Sequence, residues 1–430
     1  MKTYLVGGAV RDKLLKINVK ERDWVVVGAS FDELLNIGYK KVGKDFPVFL
    51  HPKTNEEYAL ARTERKNGVG YYGFTCNFGP SITLEEDLAR RDLTINAIAE
   101  DENGNIIDPY NGKLDIKNKI LRHVSDAFVE DPVRVLRVAR FAARFYHLGF
   151  KVADETISLM RKMVENGEVD NLIKERVWQE WQKSLQERTP EIFICALRAC
   201  GALDRLIPEI NNLFGVPSNI LYHEEIDTGV HTLMVLNKAS SLSNDPTVRF
   251  AALVHDLGKA NTLRTQWPSQ KGHEALGVEV ICELANRLNI PQKYVKISRI
   301  AAKLHLNIHK IKELTSSEIL DTLEQADAFR RPELFENLLL VCEADALGRG
   351  LYGGYPHLKW FFPNGGYKNI STEYYQAKYW LGILKTCKDV EIDNHIEAGL
   401  HGLEIKYKIR EMRLNIIIKY IKTWDLNEKQ

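Results

Sequence analysis

The chain has 430 residues, of which 44% are hydrophobic and 27% charged, close to the average for folded globular proteins, so wholesale disorder is excluded. Its 59 lysines and arginines balance 58 aspartates and glutamates, which excludes a polybasic protein that holds nucleic acid by bulk charge. An anionic partner must therefore be bound by a local basic patch. The length predicts roughly two to four domains of about 100–200 residues each.

Cysteine usage and hydropathy predict a soluble cytoplasmic protein with no membrane partner. The six cysteines show no CxxC spacing, which argues against a disulfide framework or a zinc ribbon. The first apolar run is interrupted by Gly7 and Gly8 and closed by Arg11, unlike a signal peptide. No stretch approaches the roughly 18 consecutive apolar residues of a membrane span. A monomer and a homodimer are both compatible with these features.

The pattern of apolar residues changes near residue 131. Before it, short β-branched runs at 3–6, 24–27 and 48–50 alternate with Gly, Asn and Pro turns, which predicts a mixed sheet with helices. After it, apolar residues recur with the 3.6-residue period of a helix. A stretch rich in glycine and aromatic residues, 348–367, predicts an ordered loop. We expect an α+β protein with a small head followed by an elongated all-helical body.

The first motif with chemical content is Gly7-Gly8-Ala9-Val10-Arg11-Asp12, which follows the first predicted strand. Paired glycines let the backbone approach an anion closely, and the start of a helix offers unpaired N–H groups. The guanidinium of Arg11 adds a positive charge. Phosphate binding and an ordinary tight turn both remain open.

Two carboxylates, Glu21 and Asp23, precede the run at 24–27. If the strand begins there, both side chains point to one side, about 7 Å apart. Carboxylate oxygens at this spacing can share hard divalent cations. A solvated strand edge is the alternative. Glu57 is a candidate third ligand or, equally, a surface glutamate.

Four arginines recur at helical spacing once the helical region begins: Arg134, Arg137, Arg140 and Arg144. On a helix they lie within roughly 120° of arc. Four like charges repel each other unless an anion lies among them, so the stripe predicts an anion site. A solvated helix face is the alternative.

The motifs at 7–12, 90–96, 108–112 and 130–134 resemble, in this order and spacing, those of class II CCA-adding tRNA nucleotidyltransferases. This family belongs to the polymerase-β-like nucleotidyltransferase superfamily, and the likeness is closest to its bacterial members with an appended HD domain. The resemblance implies a nucleotidyltransferase head at 1–125, a helical neck at 126–222, an HD phosphohydrolase domain at 223–335 and a helical C-terminal tail at 336–430.

The resemblance also implies the activity and its residues. The enzyme would add and repair the 3′-terminal CCA of tRNA with CTP and ATP, without a nucleic-acid template, by two-metal nucleotidyl transfer. The implied roles are nucleotide binding for Gly8, Arg11, Arg91, Arg137 and Arg140, catalysis and Mg²⁺ binding for Glu21 and Asp23, and base selection for Asp131 and Arg134.

One position departs from the family pattern. The family carries Asp-x-Asp at the metal site, whereas this chain has Glu21-Arg22-Asp23. The extra methylene of Glu21 displaces its carboxylate, and Mg²⁺ tolerates poor octahedral geometry badly. We therefore expect reduced but nonzero transferase activity.

A second motif, His255-Asp256-Leu257-Gly258-Lys259, lies among further histidines. Such a set suits a divalent metal of borderline softness. The segment resembles the HD phosphohydrolase superfamily, which implies a transition metal such as Ni²⁺ (or Mn²⁺ or Co²⁺) and phosphatase, 2′-nucleotidase and 2′,3′-cyclic phosphodiesterase activities. The implied ligands are His231, His255, Asp256, His273 and His305; Asp345 is a candidate for the last ligand, and Lys259 would lie near a phosphate.

Two other functions remain open. A bacterial poly(A) polymerase shares the head motifs, but the HD cluster and the lack of a long basic C-terminal tail favour CCA addition. An HD phosphohydrolase with a transfer-impaired, tRNA-binding head is the other alternative, and Glu21 supports it.

Overall fold

The computed structural model describes residues 1–19, 21–42, 48–66, 74–219, 227–349, 373–388 and 402–427. The chain forms two compact units, Met1–Ile207 and Pro208–Gln430. The predicted four-way division at 125, 222 and 335 stays a prediction. The stretch 348–367, where an ordered loop is expected, lies almost entirely outside the described residues.

The first unit contains all the strands that the structure describes. They are β1 (Lys2–Val6), β2 (Asp23–Val27), β3 (Lys40–Val42), β4 (Val48–Leu50), β5 (Glu57–Leu60), β6 (Arg62–Lys66), β7 (Phe74–Phe78), β8 (Ala99–Glu100), β9 (Ile106–Ile107), β10 (Ile120–Leu121) and β11 (Lys151–Val152). Seven of them form one mixed sheet in the order β3-β4-β5-β2-β1-β8-β9. The runs at 3–6, 24–27 and 48–50 are therefore strands, as the sequence predicts.

Both faces of this sheet are covered. Successive side chains of a strand point to opposite faces, so Val25 packs with Val6 and Leu88 on one side. Its neighbour Val26 packs with Leu34 and Phe49 on the other. This double burial accounts for the continuous β-branched run of β2.

The register of the central strands determines where the two sequence motifs meet. Antiparallel pairing of β1 and β2 places Val6 opposite Asp23, so the glycine turn after β1 lies beside the start of β2. Parallel pairing of β2 and β5 places Glu57 beside Asp23. Strand β2 begins at Asp23, and Glu21 lies two residues before it.

The helices of the first unit surround and follow the sheet. They are α1 (Gly8–Leu14), α2 (Phe31–Asn36), α3 (Leu84–Ala89), α4 (Gly112–Asn118), α5 (Val133–Phe145), α6 (Asp154–Glu165), α7 (Lys174–Leu185), α8 (Glu191–Ala199) and α9 (Ala202–Leu206). Helix α5 packs against α7 and α8. One short strand, β11, interrupts the region expected to be wholly helical and pairs in parallel with β10, which lies before that region.

The second unit is helical throughout its described residues. Its helices are α10 (Pro208–Asn211), α11 (Thr228–Leu242), α12 (Pro246–Val254), α13 (His273–Leu288), α14 (Gln292–His309), α15 (Ser316–Gln325), α16 (Pro332–Leu347), α17 (Tyr375–Lys388) and α18 (Leu403–Asn427). Prolines begin α10, α12 and α16, because their missing N–H is not needed in the first turn. Helices α11, α12, α14 and α16 pack on one another around a shared apolar core. Within the described ranges, no helix is long and apolar enough to cross a membrane.

Candidate active sites

One cavity of about 970 Å³ in the first unit gathers the residues that the sequence motifs predict. Among the described residues, its lining includes every head and neck residue assigned to nucleotide, metal or base: Gly8, Arg11, Glu21, Asp23, Arg91, Asp131, Arg134, Arg137 and Arg140. Ten lining residues are arginine or lysine and six are aspartate or glutamate, so the cavity favours an anion. Glu57 is not among the lining residues.

The glycine turn brings a guanidinium against the backbone. Gly7 has φ +68°, a conformation that costs little only for glycine, and a Cβ there would lie 2.8 Å from Nη1 of Arg91. Arg91 is held by Asp87, whose carboxylate lies 3.2 Å from Nη2. The turn thus needs glycine both for its conformation and for the approach of Arg91.

A buried carboxylate, Asp92, joins the central motifs. It accepts hydrogen bonds from Arg137 at 2.7 Å and from the amide of Asn96 at 2.8 Å. Asn96 in turn accepts a hydrogen bond from Arg11 at 2.5 Å. Burial alone would raise the pKa of Asp92, but Arg137 and Asn96 hold it well below its ordinary value. Arg11 and Arg137 are therefore linked through one ionised carboxylate.

Three of the four arginines in the α5 stripe have carboxylate partners within the protein, so repulsion alone does not require an anion there; the anion site stays a prediction. Arg137 pairs with Asp92, and Arg140 lies 2.6 Å from Glu180 on α7. Arg144 lies 3.0 Å from Asp12 on α1. The stripe still faces the cavity, and carboxylates from distant segments compensate Arg137, Arg140 and Arg144 and hold these three guanidinium groups in place.

The two residues expected to select the base both form hydrogen bonds with other groups of the protein. Asp131 accepts hydrogen bonds from Arg176 on α7, at 3.0 and 3.3 Å. Arg134 is buried and donates to the carbonyl oxygens of Ala127 and of Arg90, the latter at 2.6 Å. The sequence reasoning did not identify Arg176, because its distance along the chain from Asp131 carries no signal of contact.

Glu21 and Asp23 fit a hard divalent cation. Both line the cavity, and both offer oxygen atoms. Burial raises the pKa of Asp23, Arg91 lowers it, and the neighbouring carboxylate of Glu21 raises it further. Two mutually repelling carboxylates in one cavity are a donor set that a cation stabilises.

The second unit brings the predicted HD residues together from five elements. His231 lies in the first turn of α11, His255 and Asp256 follow α12, and His273 begins α13. His305 lies near the end of α14, and Asp345 lies near the end of α16. Gly258 allows this approach, since a Cβ there would lie 2.0 Å from the carbonyl oxygen of His273.

These residues form two adjacent triads rather than one set. His231, His255 and Asp345 offer ligand atoms within 4.8 Å of one another, and so do Asp256, His273 and His305. Nε2 of His273 and Nε2 of His305 are 3.3 Å apart, and Oδ1 of Asp256 lies 3.4 Å from the former. Oδ1 of Asp345 lies 2.9 Å from Nε2 of His231. All six side chains are buried.

The imidazole rings are oriented for metal binding. Nδ1 of His255, of His273 and of His305 each contacts a backbone carbonyl oxygen at 2.8–3.0 Å, which directs Nε2 towards the cluster. Burial, together with His255 and His273, lowers the pKa of His305 to about 3, so its ring is neutral. Among the described residues, Nε2 of His255 and Oδ1 of Asp256 are buried without a hydrogen-bond partner. These nitrogen and oxygen donors fit a divalent transition metal.

Cationic groups surround Asp256 within the cluster. Nζ of Lys259 lies 2.7 Å from Oδ2 of Asp256. Burial raises the pKa of Asp256, but His255 and Lys259 hold it well below its ordinary value. Burial lowers the pKa of His255, but Asp256 and Asp345 outweigh it and raise that pKa to about 8.

Family models match both units. The model of the Poly A polymerase head domain matches residues 3–122, and the model of the HD domain matches residues 228–350. A third model, the probable RNA and SrmB-binding site of polymerase A, matches residues 149–214.

A curated relative covers the whole chain. The multifunctional CCA protein of Legionella pneumophila (strain Paris) is 56% identical over 429 residues, which is 100% of this chain and 100% of the relative. This chain belongs to the multifunctional CCA protein family. It is a CCA-adding tRNA nucleotidyltransferase that carries an HD domain, so the resemblance predicted from the motifs is confirmed. Its two domain types imply dependence on divalent metal.

Solved structures share the fold. A CCA-adding enzyme with CTP superposes with a TM-score of 0.58 at 20% identity, covering 100% of this chain and 92% of that one. A CCA-adding enzyme with ATP superposes with a TM-score of 0.61 at 20% identity, covering 97% and 86%. The predicted fold class, a polymerase-β-like head followed by a helical body with an HD domain, is confirmed.

The ion pair of Asp92 and Arg137 predicts acid sensitivity of the first unit. Because the pKa of Asp92 is lowered on folding, its stabilisation is complete above about pH 4 and is lost as the pH falls below that value. Asp92→Asn should lower stability at pH 7 by about 1–3 kcal/mol, since the buried side chain at 92 loses its charged hydrogen bond to the partly exposed Arg137. It should also flatten the dependence of stability on pH below about 4.

Urea denaturation followed by circular dichroism at a series of pH values measures this effect. Asp154→Asn, at an exposed position of α6, is the matched control and should keep the wild-type dependence on pH. Equal slopes below pH 4 for wild type and Asp92→Asn would contradict the assignment.

Proposed function

We propose that the cavity of the first unit adds and repairs the 3′-terminal CCA of tRNA, with CTP and ATP as nucleotide substrates. The observation that carries the proposal is the common cavity. Residues 8, 11, 21, 23, 91, 131, 134, 137 and 140 come from separate motifs, yet all line it. The family of the chain supports tRNA as the partner. The head at 1–125 and the neck at 126–222 would share this work.

Four guanidinium groups would bind the triphosphate: those of Arg11, Arg91, Arg137 and Arg140. Each forms an ion pair with a carboxylate; the partners are, in the same order, Asp12, Asp87, Asp92 and Glu180. Guanidinium groups bind phosphate oxygens with two parallel hydrogen bonds. Because their orientation is set before the nucleotide arrives, little side-chain entropy is lost on binding.

Glu21 and Asp23 would hold Mg²⁺ beside this phosphate site. When bound, Mg²⁺ supplies charge neutralisation at the reacting phosphate and lowers the pKa of the attacking 3′-hydroxyl group. The chain's own contribution is to place Asp23 at the start of β2 and Glu21 two residues before it, both in the cavity that Arg91 also lines.

Asp131 and Arg134 would read the base. A carboxylate accepts hydrogen bonds and a guanidinium donates them, so together they satisfy the amine and the acceptors of cytosine or adenine. Guanine and uracil present a ring N–H where Arg134 offers only donors. Each unsatisfied buried group costs on the order of 1–3 kcal/mol, which favours CTP and ATP.

We further propose that the HD cluster, within 223–335 together with Asp345, is a metal-dependent phosphohydrolase. Its substrates would be terminal phosphates, 2′-nucleotides and 2′,3′-cyclic phosphates, and its metal a transition ion such as Ni²⁺, Mn²⁺ or Co²⁺. When bound, the ion supplies an activated water and polarises the phosphate. Lys259 would lie near the phosphate, although in the cluster it already pairs with Asp256. A cytoplasmic location and a monomeric or dimeric state stay predictions.

The transferase proposal predicts that Asp23→Ala abolishes CTP incorporation. Purified wild-type protein with Mg²⁺ should incorporate labelled CTP, and then ATP, into tRNA that lacks CCA. Loss of one of two metal-binding carboxylates should reduce the rate by about a thousandfold, or roughly 4 kcal/mol of barrier. Asp32→Ala, at an exposed position of α2, is the control and should keep the wild-type rate.

The same assay separates the alternatives. A poly(A) polymerase would extend the tRNA with ATP alone and would not incorporate CTP. An HD phosphohydrolase with an inactive head would incorporate neither nucleotide. Either result would reject the transferase proposal.

The substitution Glu21→Asp should raise turnover. It restores the shorter side chain that Asp-x-Asp places at the cation, and an improvement of about tenfold corresponds to about 1.4 kcal/mol. The turnover number with CTP at saturating Mg²⁺ measures this effect, and the ratio of Mn²⁺ to Mg²⁺ activity should fall with it. An unchanged turnover number would mean that the site adapts to either length.

The hydrolase proposal predicts that His255→Ala abolishes hydrolysis of 2′,3′-cyclic AMP with Ni²⁺ while CTP incorporation persists. Asp23→Ala provides the reciprocal control, since it should lose CTP incorporation and keep hydrolysis. The measurement is phosphate ester hydrolysis by both variants and wild type under one set of conditions. Hydrolysis at the wild-type rate by a folded His255→Ala protein would reject the assignment of the HD cluster.

A further inference from the structure

The two oxygens of Asp345 contact different groups. Oδ1 lies 2.9 Å from Nε2 of His231 and 3.8 Å from Nε2 of His255, inside the first triad. Oδ2 lies 2.6 Å from Nε2 of His309, a histidine of α14 that neither triad includes. One side of the carboxylate therefore faces the candidate metal site and the other faces His309.

The second ring nitrogen of His309, Nδ1, also has a hydrogen-bond partner. This nitrogen lies 2.9 Å from the hydroxyl group of Tyr374, a buried residue just before α17. Arg349, one turn after Asp345, places Nη2 3.3 Å from Oδ1. Tyr374, His309 and Asp345 thus form one continuous chain of hydrogen bonds that ends at the triad.

The donors and acceptors give this chain a direction. Oδ2 of Asp345 is a carboxylate oxygen, which accepts the hydrogen bond at Nε2 of His309. Burial raises the pKa of Tyr374, whose hydroxyl group therefore keeps its proton. Nε2 of His309 therefore donates to Asp345, and in the neutral ring Nδ1 accepts the hydrogen bond from Tyr374.

We propose that His309 and Tyr374 are positioning residues that occupy Oδ2 of Asp345, so that the carboxylate offers only Oδ1 to a divalent cation shared with His231 and His255. The hydrogen-bonded oxygen cannot swing towards the cation, which makes Asp345 a one-oxygen ligand of defined orientation. Loss of such an outer partner typically weakens metal binding about 10–100-fold. This inference rests on the proposed metal site of the HD cluster.

Cobalt binding tests the inference without any catalytic readout. Co²⁺ is titrated into the full-length protein, and its visible absorption bands report both affinity and coordination geometry. All variants carry Asp23→Ala, so that the cavity of the first unit contributes less to binding. Far-UV circular dichroism and the melting temperature of each metal-free variant establish that it is folded.

Four variants give distinct expected results. His309→Ala should weaken Co²⁺ binding about 10–100-fold and change the absorption bands, because Oδ2 becomes free. His309→Gln keeps an N–H donor close to the position of Nε2 and should restore affinity to within about threefold of wild type. Tyr374→Phe removes only the anchor of His309 and should have a smaller effect. Tyr379→Phe, a matched substitution at a buried position of α17, should bind as wild type does.

Two outcomes would overturn the inference. The first is a folded His309→Ala protein with wild-type affinity and bands. The second is a His309→Gln protein as impaired as His309→Ala, which would identify His309 as a direct metal ligand. The variant His255→Ala distinguishes failure of this inference from failure of the proposed metal site. If His255→Ala also binds Co²⁺ as wild type does, the metal site itself is rejected.

Discussion

The cavity of the first unit depends on one buried carboxylate. Asp92 is almost fully enclosed, yet it stays ionised because Arg137 and Asn96 both donate to it. Through Asn96 it also orients Arg11, which belongs to the glycine motif after β1. An uncompensated charge here would cost several kcal/mol, so the three motifs are tied together by the requirement to neutralise it.

The same principle recurs around the cavity and in the HD cluster. Arg140 and Arg144 have carboxylate partners on α7 and α1, and Arg176 holds Asp131. In the second unit, Asp256 and Asp345 stay ionised among histidines, Lys259 and Arg349. Both sites are therefore built from groups whose charge and orientation are set before any ligand arrives, which reduces the reorganisation needed on binding.

Charge compensation also shows what the sequence argument for an anion site on α5 leaves out. The sequence shows four like charges on one helix face, which by themselves would repel one another. The compensating carboxylates, Asp12, Asp92 and Glu180, lie between about 40 and 130 residues away along the chain. Helical periodicity shows which side chains share one face of a helix. It does not show which other part of the chain packs against that face.

Local sequence patterns are sufficient to predict the strands β1, β2 and β4 and the start of the helical region near residue 131. They also indicate the residue types expected at both sites. These predictions follow from local properties: β-branched runs, the 3.6-residue period, glycine at a turn and the donor atoms of His, Asp and Glu. The three-dimensional fold was needed to show that Val6 pairs with Asp23 and that Arg176 contacts Asp131. It was also needed to show that the HD residues divide into two triads, with His309 behind one of them. Those contacts join residues far apart in the chain, and their geometry is set by strand register and helix packing, to which local sequence preferences are blind.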